Sequence, residues 1–231
     1  MLYPLPSLQT GTFLKRENRF LAFILSQNQE KIPIHVANSG RMQELLVPGT
    51  KVWWQPKNTP KTKGLLWAVE NNGVLVVLSA VTANHIAEAA FKKKELAPLQ
   101  HYDFIQKEKT FQKSRFDFLL KNNQSQKLVL AEVKSVNLCQ KGVGLFPDAP
   151  TTRGVKHLEE LLESTKQGYE ALVFFVGLRE DIKQISPHTA MDPNFTEALK
   201  KCQKGGVSIL ACHSTWNLQG CQNLVFVPFQ F

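Results

Sequence analysis

Cysteine is scarce in this chain of 231 residues, and the four present, Cys139, Cys202, Cys212 and Cys221, form no C-x-x-C pair. Without that spacing no cysteine motif or disulfide pairing is assigned, and reduced cytosolic thiols are the simpler account. Long apolar runs are missing as well. The longest, Val74 to Val81, is interrupted by Ser79 and falls short of a bilayer span. The start, MLYPLPS, has no basic stretch ahead of an apolar one, so the expectation is a cytoplasmic protein with no membrane segment and no export. Acidic residues are the minority charge, 19 Asp and Glu against 28 Lys and Arg, which leaves a net charge of +9. The excess is steepest in residues 1–80, with nine cations to four anions. Such a surface attracts phosphate polyanions by counterion release, which gives affinity without sequence preference. No recognition-helix motif is present, which argues against a sequence-specific repressor.

What is there suits a globular fold, since 43% of the residues are hydrophobic and 10% aromatic. Residues 12–25, 31–37, 50–54, 65–70 and 74–81 are β-like runs separated by turns such as Asn38-Ser39-Gly40, Pro48-Gly49 and Asn71-Asn72-Gly73. Five short strands with little helix predict a small barrel, either of the oligonucleotide-binding type or SH3-like. Lys15, Arg16, Arg19, Lys57, Lys61 and Lys63 interleave there with Phe13, Phe20, Trp53, Trp54 and Trp67. Cations for a backbone and aromatics for bases are the composition of a single-strand binder, although for any single aromatic core packing is the favoured reading, and of the adjacent Trp53 and Trp54 at least one belongs to the core. The loop KNTPKTK, residues 57–63, is the better nucleic-acid candidate, its bland alternative being simple solvation.

From Thr82 the period changes, and TANHIAEAAFKKKEL reads as a helix capped by Thr82 or Asn84. The boundary between two domains is placed there, 1–81 and 82–231. Gln100 to Lys113 reads as a polar connection. Ser114 to Lys134, SRFDFLLKNNQSQKLVLAEVK, then reads as a hairpin. Alternation puts Glu132 and Lys134 on the face of Leu128 and Leu130, and Asp117 on the face of Arg115 and Leu119, within reach of Glu132. Two carboxylates and the Val133 carbonyl would suit a hard cation such as Mg²⁺, with Lys134 offsetting negative charge at a phosphate. The bland alternative is a cross-strand ion pair. Glu88, one turn before Lys92, is either a surface pair or a further carboxylate for the metal. Thr151 or Thr152 caps a second helix whose buried stripe is Val155, Leu158, Leu161, Leu162 and Thr165. Arg153 and His157 fall off that stripe, open to a phosphate or to solvent. Buried strands at 171–177 and 207–212 flank a helix opened by Asp192-Pro193, which implies parallel strands beside the hairpin.

The blocks SRFDFLL, AEVKSVNL, LFPDAPTTRGVKHLEEL and HVANSGRMQELLVPG resemble the sugar fermentation stimulation protein A family of bacteria and archaea, in order over nearly the whole chain up to Thr215. The resemblance implies a two-domain α+β protein: a five-stranded barrel of the oligonucleotide-binding type, then a mixed-sheet α/β domain resembling PD-(D/E)xK nucleases. It also implies a cytosolic DNA-binding protein linked to regulation of sugar (maltose) utilisation. Asp117, Glu132 and Lys134 match the nuclease motif, with Glu88 as the helix carboxylate, and Phe116 stands where the motif has proline. Two functions remain open at this stage. One is a DNA-binding protein of little sequence specificity, on single or double strands. The other is a Mg²⁺- or Mn²⁺-dependent nuclease in which Arg153 or His157 grips a phosphate. The oligomeric state is open, a homodimer among the options.

Overall fold

The computed structural model describes all 231 residues. After a two-residue strand, β1 (Tyr3–Pro4), come β2 (Gln9–Arg16), β3 (Leu21–Ser26), β4 (Lys31–Val36), β5 (Lys51–Pro56), β6 (Gly64–Asn71) and β7 (Val74–Val77). Strands β2 to β6 pair in the order β4-β3-β2-β5-β6, and a parallel β4–β6 contact closes the ring. This is a closed five-stranded barrel of the oligonucleotide-binding type, with β7 doubling back along β6. The run of residues 12–25 is two strands, because Asn18 turns the chain by accepting the Phe20 and Leu21 N–H groups. Inside sit Phe13, Ile24, Ile34, Trp54, Leu66 and Val76.

The second unit contains α1 (Ala80–Lys93), β8 (Tyr102–Phe111), β9 (Ser114–Asn122), β10 (Leu128–Val136), β11 (Cys139–Gln140), β12 (Val143–Phe146), α2 (Thr152–Lys166), β13 (Glu170–Gly177), β14 (Gln184–Pro187), α3 (Pro193–Lys204), β15 (Ser208–Asn217) and β16 (Gly220–Phe226). Its main sheet runs β1-β16-β15-β13-β10-β9-β8, with β10–β13 and β13–β15 parallel. The mixed sheet with helices on both faces is the nuclease-like α/β architecture that the resemblance implies. β11, β12 and β14 form a small sheet to one side. Asp192 caps α3 by accepting the Phe195 N–H, and Thr151 caps α2 by accepting that of Gly154.

Four expectations change. Residues 100–113 are not only a connection: Tyr102–Phe111 form the edge strand β8, whose Gln106, Lys107 and Glu108 face water as an edge strand can. Neither Thr82 nor Asn84 caps α1; the helix starts earlier, after Ser79, and both lie within it. His157 belongs to the buried face of α2, together with Leu158, Leu161 and Ser164. The first unit is not simply 1–81, because Leu2 and Leu5 donate to the Cys221 and Gln219 carbonyls and β1 covers the otherwise bare edge of β16.

The two units share a core. Trp53, Trp67, Ala68 and Val77 of the barrel pack in one cluster with Ile86 and Phe91 of α1 and with Phe118, Val133, Phe174 and Val176 of the sheet. Trp53 and Trp67 keep only 8% and 7% of their surface exposed. Around this contact, Asn38 donates to the Leu78 carbonyl and to Asn137, and Asn137 donates to Val77. Buried Arg179 ties Asn71 of the barrel to the Asn137 carbonyl and to Asp181. A core spanning both units makes them one cooperative body. Trp67→Ala should therefore lower a single calorimetric transition by about 3–5 kcal/mol; two transitions, only one of them shifted, would refute the shared core.

Candidate functional site

Asp117, Glu132 and Lys134 meet where β9 and β10 part. The antiparallel ladder runs from Leu128↔Lys121 to Ala131↔Phe118 and stops there. One step on, the same register would set Glu132 opposite Asp117, but the strands have parted there. The Val133 N–H, released from the ladder, donates to Asp117 Oδ2 at 2.7 Å. A carboxylate thus takes over a main-chain hydrogen bond at the point where the strands separate.

The face assigned to Asp117 is corrected. Phe116 packs in the core under α2 and α3, with its ring against His157, whereas Phe118 packs in the core under α1. The two-residue alternation breaks between them, and Asp117 turns towards α1, where Asn84 Nδ2 donates to its Oδ1 at 2.6 Å. Leu119 stays on the α2 side.

Glu132 is 5% exposed and strongly held. Its Oε1 receives Lys134 Nζ at 2.7 Å and faces His157 Nδ1 at 2.6 Å. Its Oε2 is buried and has no partner. Burial alone would raise both acids, but they diverge. Asp117, desolvated and beside the Glu132 charge, is raised from 3.8 to about 6 despite the Val133 N–H and Lys134. In Glu132 the desolvation is outweighed by Lys134 and His157, which hold it down to about 2. One acid is a fixed anion and the other sits near its titration point, a division typical of working sites.

Other candidates are distributed differently. Glu88 is taken by Lys92 at 2.7 Å and by Lys107, and bonds neither acid, so the surface-pair alternative describes it and the helix contributes Asn84 to the site instead. His157 is 5% exposed and cannot grip an external phosphate; it supports Glu132. Arg153 is exposed, its Nε donating to His157 Nε2 at 3.3 Å. Arg16 is withdrawn from ligand duty, because its guanidinium donates to the carbonyls of Arg19, Asn38, Gly40 and Arg41. Lys15 pairs with Glu17. Arg19 and the loop residues Lys57, Lys61 and Lys63 are exposed without a carboxylate partner, the loop being pinned by Thr59 and Thr62.

On the barrel, Lys15 and Lys31 lie over the Phe23 ring, and Phe20, 49% exposed, stacks on His35. Phe23, Lys31 and His35 are absent from the sequence reading, although the inward alternation of Ala22, Ile24, Ile32 and Ile34 already turns Phe23 and His35 outward.

The acids can be tested for cation binding on their own geometry. Glu132 offers the orphaned Oε2, and each Asp117 oxygen accepts only one hydrogen bond. In an extended strand the N–H and C=O of a residue point to one edge, so the Val133 carbonyl lies on the Asp117 side. No cluster of three or more His, Cys, Asp or Glu converges anywhere, so water would complete the sphere, as Mg²⁺ commonly accepts. The residues fit a hard divalent cation.

The sign of the pH dependence follows from the two shifts. The Asp117 contribution to stability is full below 3.8 and lost as pH rises to about 6; that of Glu132 is full above 4.5 and lost as pH falls to about 2. In metal-free buffer Asp117→Asn, which no longer titrates but offers a single acceptor to the Val133 N–H and Asn84 Nδ2 donors, should therefore compare more favourably with the unaltered protein at pH 7 than at pH 3.5, by up to about 3 kcal/mol. Denaturant titrations at both pH values measure this difference, and an equal effect at the two would contradict it.

Comparison with known proteins gives consistent matches. A family model described as "SfsA N-terminal OB domain" matches residues 14–78, and one described as "Sugar fermentation stimulation protein RE domain" matches residues 81–220. Curated relatives from Clostridium tetani and Clostridium acetobutylicum, both called sugar fermentation stimulation protein homolog, are 41% and 43% identical over 207 and 202 residues, covering 89% and 86% of this chain and of each relative. A solved structure of Pyrococcus furiosus SfsA in complex with Ca²⁺ superimposes with a TM-score of 0.89 at 25% identity, over 100% of this chain and 99% of that one.

Proposed function

We propose, from the premise that this chain belongs to the sugar fermentation stimulation protein family, that it binds DNA with little sequence specificity and hydrolyses phosphodiester bonds at Asp117 and Glu132 with a divalent cation. The observation carrying the catalytic half is the buried, unpartnered Glu132 Oε2 beside an Asp117 near its titration point. An anion buried with a free oxygen is costly unless a cation or a reacting group meets it. That a Pyrococcus furiosus relative was solved with Ca²⁺ supports a divalent ion here, with Mg²⁺ or Mn²⁺ as the working metal.

Bound there, the ion would polarise a phosphoryl oxygen and acidify a water. Asp117, Glu132 and the Val133 carbonyl would hold it. Lys134, kept beside Glu132, orients the water and offsets charge that develops on the phosphate. Asn84 and the Val133 N–H fix the Asp117 carboxylate and support its ionised form. DNA affinity comes from the barrel, where Phe23, His35 and Phe20 give flat surfaces beside Lys15 and Lys31, extended by Lys57, Lys61 and Lys63. The link to sugar, or maltose, utilisation rests on the family name.

A second reading, binding without cleavage, has one observation in its favour: Glu132 Oε1 is already saturated by Lys134 and His157, so the site is closed on itself without a metal. Purified protein incubated with single- and double-stranded DNA in Mg²⁺, Mn²⁺ or EDTA separates the two. Cleavage that needs the metal should fall by at least about a hundredfold in Asp117→Ala, Glu132→Ala and Lys134→Ala while DNA affinity is kept. Salt-sensitive binding with no cleavage under any metal establishes the second reading.

A further inference from the structure

Beside the acidic pair, next to the β8–β9 turn, lies a groove of about 350 Å³ ringed by Lys113, Arg115, Arg153 and Lys156, with Ser114 and Thr152 between them. No carboxylate and no apolar side chain lines it. Its cations are available. Lys113 has no acidic partner, and the contacts of Arg115 with Glu108 at 3.3 Å and of Lys156 with Glu160 at 3.6 Å involve exposed cations, so they are weak in water. Arg153 differs from the rest. Its Nε is anchored on His157 Nε2, while neither terminal nitrogen has a protein partner. With His157 Nε2 as the acceptor for Arg153, the arrangement fits the tautomer that carries its proton on Nδ1, facing Glu132 Oε1. One imidazole therefore fixes a free guanidinium fork on one side and the candidate ligand carboxylate on the other. Arg153 also borders a second cavity, of about 450 Å³, which opens between the barrel and the second unit and includes Arg19.

We propose that this groove is a phosphodiester subsite, which holds backbone phosphates of a nucleic-acid strand immediately beside the acidic pair. Arg153 is its preset fork, suited to two oxygens of one phosphate, and Lys113, Arg115 and Lys156 adjust around the neighbouring phosphates. His157 is a positioning residue that sets the distance between the gripped phosphate and Glu132. A groove without an apolar wall gives a protein partner nothing to bury, whereas it meets the needs of a polyanion. The strand then runs from Arg19 at the barrel, past Arg153, to the Lys113 turn, and both units contribute to one path. The subsite rests on reading the acidic pair as acting on nucleic acid.

The test follows binding of a short fluorescent single-stranded DNA by the full chain in EDTA across salt concentrations, with the melting temperature of every variant checked. Arg153→Ala should reduce the slope of log K against log salt by about 0.7, and the Lys113→Ala/Arg115→Ala pair by up to about 1.4, the values for one and two lost phosphates. Lys200→Ala, on α3, should leave the slope alone. Arg153→Lys should keep the slope but weaken binding severalfold. His157→Asn, whose amide can still donate to Glu132 but whose Oδ1 falls short of the Nε2 position that Arg153 bonds, should do the same wherever the variant remains folded. Wild-type slope and affinity in the Arg153 and Lys113/Arg115 variants, in a protein that binds DNA, overturn the subsite and leave the binding reading standing. No binding by the unaltered protein at any salt overturns the reading beneath it as well.

Discussion

The docking of the barrel onto the second unit is the constraint from which the rest follows. Trp53 and Trp67 leave the barrel on the side where α1 lies, and they enter the same apolar cluster as Phe91, Phe118 and Phe174. Two indoles buried at a domain contact supply far more than a polar linker contact would. The polar groups around them are satisfied across the boundary by Asn38, Asn137 and Arg179. Such a contact cannot open without exposing a core. The barrel is therefore a fixed wall of the site region, and the cleft between Arg19 and Arg153 has a set width rather than a hinge.

Within that frame, the acidic pair is created by the separation of two strands. As long as β9 and β10 stay paired, their side chains alternate between the two cores; once the ladder stops at Ala131, the Val133 N–H needs a partner and Asp117 supplies it. Asp117 thereby turns to the α1 side while Glu132 stays with α2 and His157. The two carboxylates are close enough for the charge of one to act on the other, but they answer to different neighbours. Lys134 and His157 bond Glu132 directly and secure its charge, whereas Asp117 has an amide, an N–H and only the more distant charge of Lys134 to set against burial and a repelling anion. The asymmetry of their ionisation is a consequence of which helix each one meets.

The hairpin, its register, the caps at Thr151 and Asp192 and the doubly buried strand at 171–177 are local patterns, and local patterns survive in a linear reading. The break at Asp117 does not, because Phe116 and Phe118 are both aromatic and give no hint that they serve opposite cores. His157 looked like a surface residue since its partner Glu132 is 25 positions away. Arg16 looked like a free cation since its four carbonyls come from residues 19, 38, 40 and 41, brought back by the barrel. β8 read as a connection because an edge strand may expose Lys and Glu freely, and a polar run carries no periodicity. Polar groups with distant partners are the common thread: apolar alternation reveals a core, but not which charges that core brings together.

The same placement bears on what kind of DNA contact the chain can make. A sequence reader needs a helix or ribbon free to enter a groove with side chains aimed at base edges. Here α1 is locked under the barrel, and the outward side of α2 bears Glu159 and Glu163, which would repel a phosphate backbone. The exposed cations lie instead on the barrel loops, at the start of α2 and on the β8–β9 turn, where on the proposed reading they would meet backbone rather than bases. Contacts of that kind fix position and strand direction and carry no sequence information. A regulatory consequence, if the family name reflects one, would then arise from what is done to the bound strand or from where such strands occur, and the side chains best placed to decide it are Glu132, Lys134 and the His157–Arg153 pair rather than any base-reading helix.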